Sequence, residues 1–178
     1  STGRAPAGRD PGHIADGERS LPALTDGCPG LGTVVGTMAR YSRVMPAICI
    51  SLRVQWGDMD ALGHVNNTVY FRWFESARIA LFESVGLVNT GTPAVGPILA
   101  TTTCTFLAPV TFPADVTCTA VVTRVGRTSF AMSHVVRLGD VPVARGEGTV
   151  VLVDYHTGAK VPVSESLRSS LEARGGEA

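Results

Sequence analysis

One stretch of the chain concentrates side chains that do chemistry. Trp56-Gly-Asp-Met-Asp-Ala-Leu-Gly-His-Val-Asn-Asn-Thr-Val-Tyr70 holds two carboxylates, one imidazole and two carboxamides, with glycines at 57 and 63. Glycine permits sharp turns and close approach of a ligand to the backbone. Asn66 or Asn67 is a good helix N-cap, so a helix is expected to begin near Thr68. A helix start offers N–H groups without intrahelical partners and the positive end of the dipole. Asp60 then lies beside a preformed site for developing negative charge. Asp58, in the same loop, reads as a turn-former bonded to local backbone N–H groups. His64 is open to three roles: acid, ligand-binding group or loop brace. Asn66 either caps the helix or contacts substrate, and Tyr70 reads as a core residue with its hydroxyl bonded.

Two elements must position this loop. Before it, Ile48, Ile50, Leu52, Val54 and Trp56 alternate with Cys49, Ser51, Arg53 and Gln55, the pattern of a half-buried strand. After it, Val69, Tyr70, Trp73, Ala77, Ala80, Leu81 and Ser84 share one helical face, and Phe71, Phe74, Ile79 and Phe82 make much of the rest apolar. Such a helix, expected over about 68–85, is buried on most sides. Glu75 and Arg78 pair at i, i+3 on a narrow polar strip. Gly86-Leu87 reads as a left-handed C-cap.

Further strands are expected at Ile98–Leu107, Asp115–Val125, Ser129–Leu138 and Val141–Asp154, separated by Pro- and Gly-containing turns. A short helix capped by Ser164 should run to Glu172. One strand, one long helix and four strands in meander-like succession make an α+β fold. A curved, five-stranded antiparallel sheet wrapped around the helix would bury both. Such a sheet leaves two edges, and these suit pairing with a second subunit.

The 178 residues include 15 Lys and Arg against 15 Asp and Glu, so no broad nucleic-acid-binding surface is expected. Residues 1–44 are rich in Gly, Pro, Ala and Arg without a sustained period. They are expected to be a disordered or non-native tail ahead of a single domain over 45–178. Cys49, Cys104 and Cys118 read as buried free thiols. With no secretory signal and no membrane-spanning run, a reducing, cytoplasmic setting is expected. The scattered histidines suggest no metal site. The absence of a Gly-x-Ser-x-Gly elbow disfavours a serine triad.

At Gly57-Asp-Met-Asp-Ala-Leu-Gly-His-Val-Asn-Asn67, with Tyr70, Phe74-Glu75 and Ala77-Arg78, the chain resembles the hotdog-fold acyl-CoA thioesterases. The nearest group is the 4-hydroxybenzoyl-CoA thioesterase-like family. The resemblance continues through Gly126-Arg-Thr-Ser-Phe130, Ala144-Arg-Gly146 and Asp154-Tyr-His-Thr-Gly158, and covers about residues 48–172. It implies a homodimer, or a dimer-of-dimers tetramer, with active sites at the subunit interface. It also implies that Asp60 is the catalytic carboxylate and that the Asn67 backbone N–H polarises the thioester carbonyl. His64 would complete the catalytic set. Asn66, Tyr70 and Arg127 would contact substrate, Arg127 at the nucleotide phosphates. Gly126 and Thr128 stand where the hydroxybenzoyl-specific form can be basic. The Gly-His-Val-Asn-Asn form is shared with fatty-acyl-type members. The expected activity is hydrolysis of a small or fatty acyl-CoA, with no separate cofactor because coenzyme A belongs to the substrate. A non-catalytic acyl-CoA-binding or regulatory module is the alternative.

Overall fold

The structure, a computed structural model, describes residues 47–88 and 94–176. The expected N-terminal tail lies outside the described residues. Strand β1 spans Ile48–Arg53, helix α1 Asn67–Ser84 and strand β2 Val95–Phe106. Strands β3 (Asp115–Val125), β4 (Ser129–Leu138) and β5 (Val141–Asp154) follow, then helix α2 (Glu165–Glu172).

All five strands form one antiparallel sheet in the order β1-β3-β4-β5-β2. Only β3, β4 and β5 form a meander. The expected succession of four neighbouring strands therefore fails at β2, which crosses the molecule to pair with β5. This crossing leaves β1 and β2 as the two edges, with α1 laid across the face between them. Strand β2 also begins three residues earlier than expected and runs through Pro97. An edge strand tolerates proline because its outer N–H row has no partner to lose.

Helix α1 buries Val69, Tyr70, Trp73, Phe74, Ala77, Leu81 and Phe82 against the sheet. Their partners come from inward positions of the strands, among them Ile50, Val116, Cys118, Ala120, Phe130, Met132, Val136 and Val150. Phe74 sits directly over Gly146, where a Cβ would collide with its ring. The contact explains a glycine in the middle of a strand: the Phe74 ring lies against the strand backbone there. The outer face of the sheet carries hydroxyl and carboxylate groups, including Thr101, Thr103, Ser133, Glu147 and Thr149. This is the five-stranded sheet wrapped around one helix that the residue pattern implies, the hotdog arrangement.

Three local expectations are corrected. Trp56 is 75% exposed instead of extending the buried row of β1. The strand ends at Arg53, and the chain tightens into a 3-10 turn over Trp56–Asp58. That turn rotates the indole outward, edge-on to Phe112 at 5.7 Å. Arg78 is not on a polar strip. It is only 8% exposed, and its contact with Glu75 is a loose 3.9 Å. Cys104 and Cys118 are free thiols, but Cys49 is disulfide-bonded. Among the described residues no helix is long and apolar enough to cross a membrane.

Candidate active site

The loop between β1 and α1 is a closed structure. Met59 and Val65 form an antiparallel bridge. Within it the Asp60 N–H donates to the His64 carbonyl at 2.9 Å, and the Gly63 N–H donates back to the Asp60 carbonyl at 3.1 Å. Gly63 has φ +82°, a conformation that a β-carbon would strain. The Val65 N–H is held by the Val110 carbonyl at 2.8 Å, which ties the loop to the segment after β2.

The two aspartates have separate environments. Asp58 is buried. Its Oδ2 accepts the Gln55 N–H at 2.8 Å, and its Oδ1 accepts Arg72 Nη2 at 2.6 Å. Both oxygens are occupied by structural partners, so Asp58 takes the turn-forming role. Asp60 is half-buried. Its Oδ1 accepts the Leu62 N–H at 2.8 Å, while Oδ2 makes no hydrogen bond among the described residues.

The helix start divides its donors in the same way. Asn66 is the N-cap, and its Oδ1 accepts the Thr68 N–H at 2.9 Å and the Thr68 hydroxyl at 2.7 Å. The Asn66 carbonyl takes the Val69 N–H at 3.0 Å. The Asn67 N–H forms no bond among the described residues, so it is the first free donor at the positive end of α1.

Asp60, His64, Asn67 and Tyr70 line one open cleft of about 500 Å³, together with Leu62, Val65 and the Phe106–Pro109 segment that ends β2. Tyr70 is packed edge-on to Phe106 at 5.1 Å and tilted on Trp73 at 4.9 Å. Burial, then the nearby Cys104 thiol, raise the pKa of the Tyr70 phenol, against a Val110 backbone hydrogen bond that lowers it. Tyr70 therefore stays protonated through the neutral range and serves as a wall. Leu62 and Leu107 are exposed apolar side chains at the cleft, 83% and 48% accessible.

Four of the six expected site residues thus come together. Asn66 does not line the cleft, because its side chain is spent on the cap. Arg127 does not either. It lies exposed in the β3–β4 turn, held through its carbonyl by the Val163 N–H at 2.8 Å. Arg168 of α2 steadies the same turn by donating to the Gly126 carbonyl at 2.8 Å. The turn sits beside Leu152 of β5, whereas the cleft end of β2 pairs with Ala144. At ~3.3 Å per residue, roughly 25 Å of strand separates them within one chain. Phe106, Leu107 and Val65, which the sequence reading did not single out, prove to be cleft walls. The breaking Ala108-Pro109 signal marks where that wall ends. Among the described residues no group of three or more His, Cys, Asp or Glu is placed to hold a metal ion.

The sequence profile of the thioesterase-like superfamily matches residues 54–171, which includes the loop, the helix and every cleft residue. The chain belongs to the thioesterase-like superfamily. The expected enzyme class, thioester hydrolase, is that of the superfamily. Solved structures agree. A candidate thioesterase of Pseudomonas aeruginosa is 34% identical, with 68% of this chain and 95% of that one covered at a TM-score of 0.63. A thioesterase-superfamily protein from Jannaschia sp. is 32% identical, with coverage of 70% and 80% and a TM-score of 0.65. A thioesterase from Thermus thermophilus, solved with coenzyme A and zinc, is 26% identical, with coverage of 73% and 95% and a TM-score of 0.61. No curated protein matches the chain.

Proposed function

We propose that this member of the thioesterase-like superfamily hydrolyses acyl-CoA thioesters, with Asp60 as the reacting carboxylate. The observation that carries the reading is one cleft holding both halves of the chemistry. Asp60 lines it with Oδ2 unbonded among the described residues, and so does Asn67, whose N–H is the free donor of a helix start. The thioester carbonyl oxygen accepts the Asn67 N–H, which stabilises the oxyanion as it forms. Asp60 either attacks the carbonyl carbon to give a mixed anhydride, or takes a proton from a water that attacks it. In both routes the C–S bond breaks, and coenzyme A leaves as thiolate and collects a proton; in the first, water then cleaves the anhydride to release the acid and free Asp60, and in the second the attacking water gives the acid directly. His64, exposed in the same cleft, is the second titratable side chain placed to serve that proton. Leu62, Val65, Tyr70, Phe106 and Leu107 form an apolar bed for a small or fatty acyl group.

Coenzyme A as the carrier is supported by the likeness to the Thermus thermophilus protein solved with it. A shared site in a homodimer, or in a dimer of dimers, is supported by the geometry of β2. Its outer edge is unpaired in the sheet, and the cleft opens at its C-terminal end. A second copy paired antiparallel along that edge brings its opposite sheet end beside the cleft. The partner subunit's Arg127 then lies on the coenzyme A side, although Arg127 of the same chain is far away.

Thiol release from a panel of short, long and aromatic acyl-CoA esters tests the reading. Turnover above the uncatalysed blank with at least one ester is expected. Saturable acyl-CoA binding with no thiol release from any ester would point to a non-catalytic binding module instead.

A further inference from the structure

Asp58 and Arg72 do not line the cleft, but their bonds join the loop that carries Asp60 to the helix that starts at Asn67. We propose that the Asp58–Arg72 ion pair is a positioning device for the reaction, holding Asp60 in register with the Asn67 N–H; this rests on the reading of Asp60 given above. Asp58 lies two residues before Asp60 and is the base of the loop that carries it. It is bonded in three directions. Its Oδ2 accepts the Gln55 N–H, its carbonyl accepts the Asn66 N–H at 2.8 Å, and its Oδ1 accepts Arg72 Nη2. The first bond points back toward β1. The second reaches the residue that caps α1. The third reaches the second turn of α1 itself.

These bonds matter because the loop has little else to hold it to the helix. It lacks a ladder of its own beyond the Met59–Val65 bridge. Without Arg72, the Asp58 base of the loop is joined to the helix start by one backbone bond, Asn66 N–H to the Asp58 carbonyl. With it, the loop base and helix are joined at two points on opposite sides of the N-cap. The pair is asymmetric in burial: the Asp58 side chain is 10% exposed and that of Arg72 64%. Arg72 is mostly exposed, and glutamine keeps an amide N–H that can still bond Asp58 Oδ1, so Arg72→Gln should leave the fold standing. The effect is expected in the chemical step, where small misplacement is costly.

The test uses the full chain and thiol release from the best acyl-CoA ester. Arg72→Gln, Arg72→Lys and Asp60→Asn are compared singly, and Arg72→Gln is also placed in the Asp60→Asn background. Arg72→Gln should lower kcat by ~10-fold or more, with KM changed by less than about twofold and the melting temperature shifted by only a few degrees. Arg72→Lys should recover part of the loss, because it keeps the charge without the planar fork. In the Asp60→Asn background Arg72→Gln should cost nothing further, since both act on one step. Wild-type kcat in Arg72→Gln, beside a crippled Asp60→Asn, overturns the positioning role while the thioesterase reading stands. Losses that multiply in the double variant overturn it too, as does a kcat loss that merely tracks loss of folded protein. Full turnover in Asp60→Asn fails the reading of Asp60 itself, and with it any role exerted through Asp60.

Discussion

His134 is stacked on Phe74, the ring centroids 5.0 Å apart and the planes 18° from parallel. It faces the helix from the centre of β4, only 2% exposed, with Nδ1 buried and unpartnered. Burial first, and the nearby Arg78 guanidinium second, push its pKa down to about 4, against a Thr119 backbone hydrogen bond that raises it. The folded state thus disfavours a proton that the unfolded chain binds at about 6.5. The unfolded state holds more protons between these values, so stability is full above about pH 6.5. It falls as pH drops toward 4 and changes no further from this group below that. Roughly 3 kcal/mol is at stake if the whole shift is expressed. Thermal melts from pH 7.5 to 4 should show this decline, and His134→Phe, which keeps a stacked ring, should flatten it. An unchanged acid limb in His134→Phe would assign the decline to other groups.

The close approach of α1 to the sheet yields a second expectation. Gly146→Ala places a methyl where the Phe74 ring lies. Neither group can yield easily, because Phe74 is 1% exposed and packed on all sides. The substitution should destabilise the fold by about 1–3 kcal/mol. Denaturant titration measures this directly. A midpoint equal to wild type would mean that the helix shifts freely and that the core is not set by this contact.

Much of this was legible in the residues, for identifiable reasons. The alternation of β3, β4 and β5, broken by Gly126, by Gly139-Asp140 and by Thr157-Gly158, marked their observed ends. The asparagine cap and Gly86 bounded α1 to within a residue. What escaped was non-local. The residues of β2 mark a strand, but not that its neighbour is β5. An arginine at i+3 from a glutamate reads as surface charge, so the burial of Arg78 beside His134 was not visible. The turn-forming reading of Asp58 had a local basis, but its pairing with Arg72, on the helix, had none. Arg127 had no signal for its distance from Asp60, since nothing local records which end of the sheet a turn occupies.

The two-subunit site predicts the behaviour of Arg127. Arg127→Glu should raise KM for acyl-CoA through repulsion of its phosphates and leave kcat comparatively unchanged. Added salt should weaken binding in the wild type more than in the variant, because it screens the attraction that the variant lacks. Steady-state kinetics at two ionic strengths, with light scattering at assay concentration, test this. An unchanged KM removes Arg127 from the coenzyme A path, and a fully active monomer contradicts the shared site.

The central claim is that the Asp60 carboxylate performs the chemistry beside the Asn67 N–H. Asp60→Asn preserves the shape of the side chain, and an amide oxygen can still accept the Leu62 N–H that Oδ1 accepts now. The folded variant should bind acyl-CoA but turn it over at least ~100-fold more slowly than the wild type. A folded Asp60→Asn protein with wild-type kcat would contradict the account.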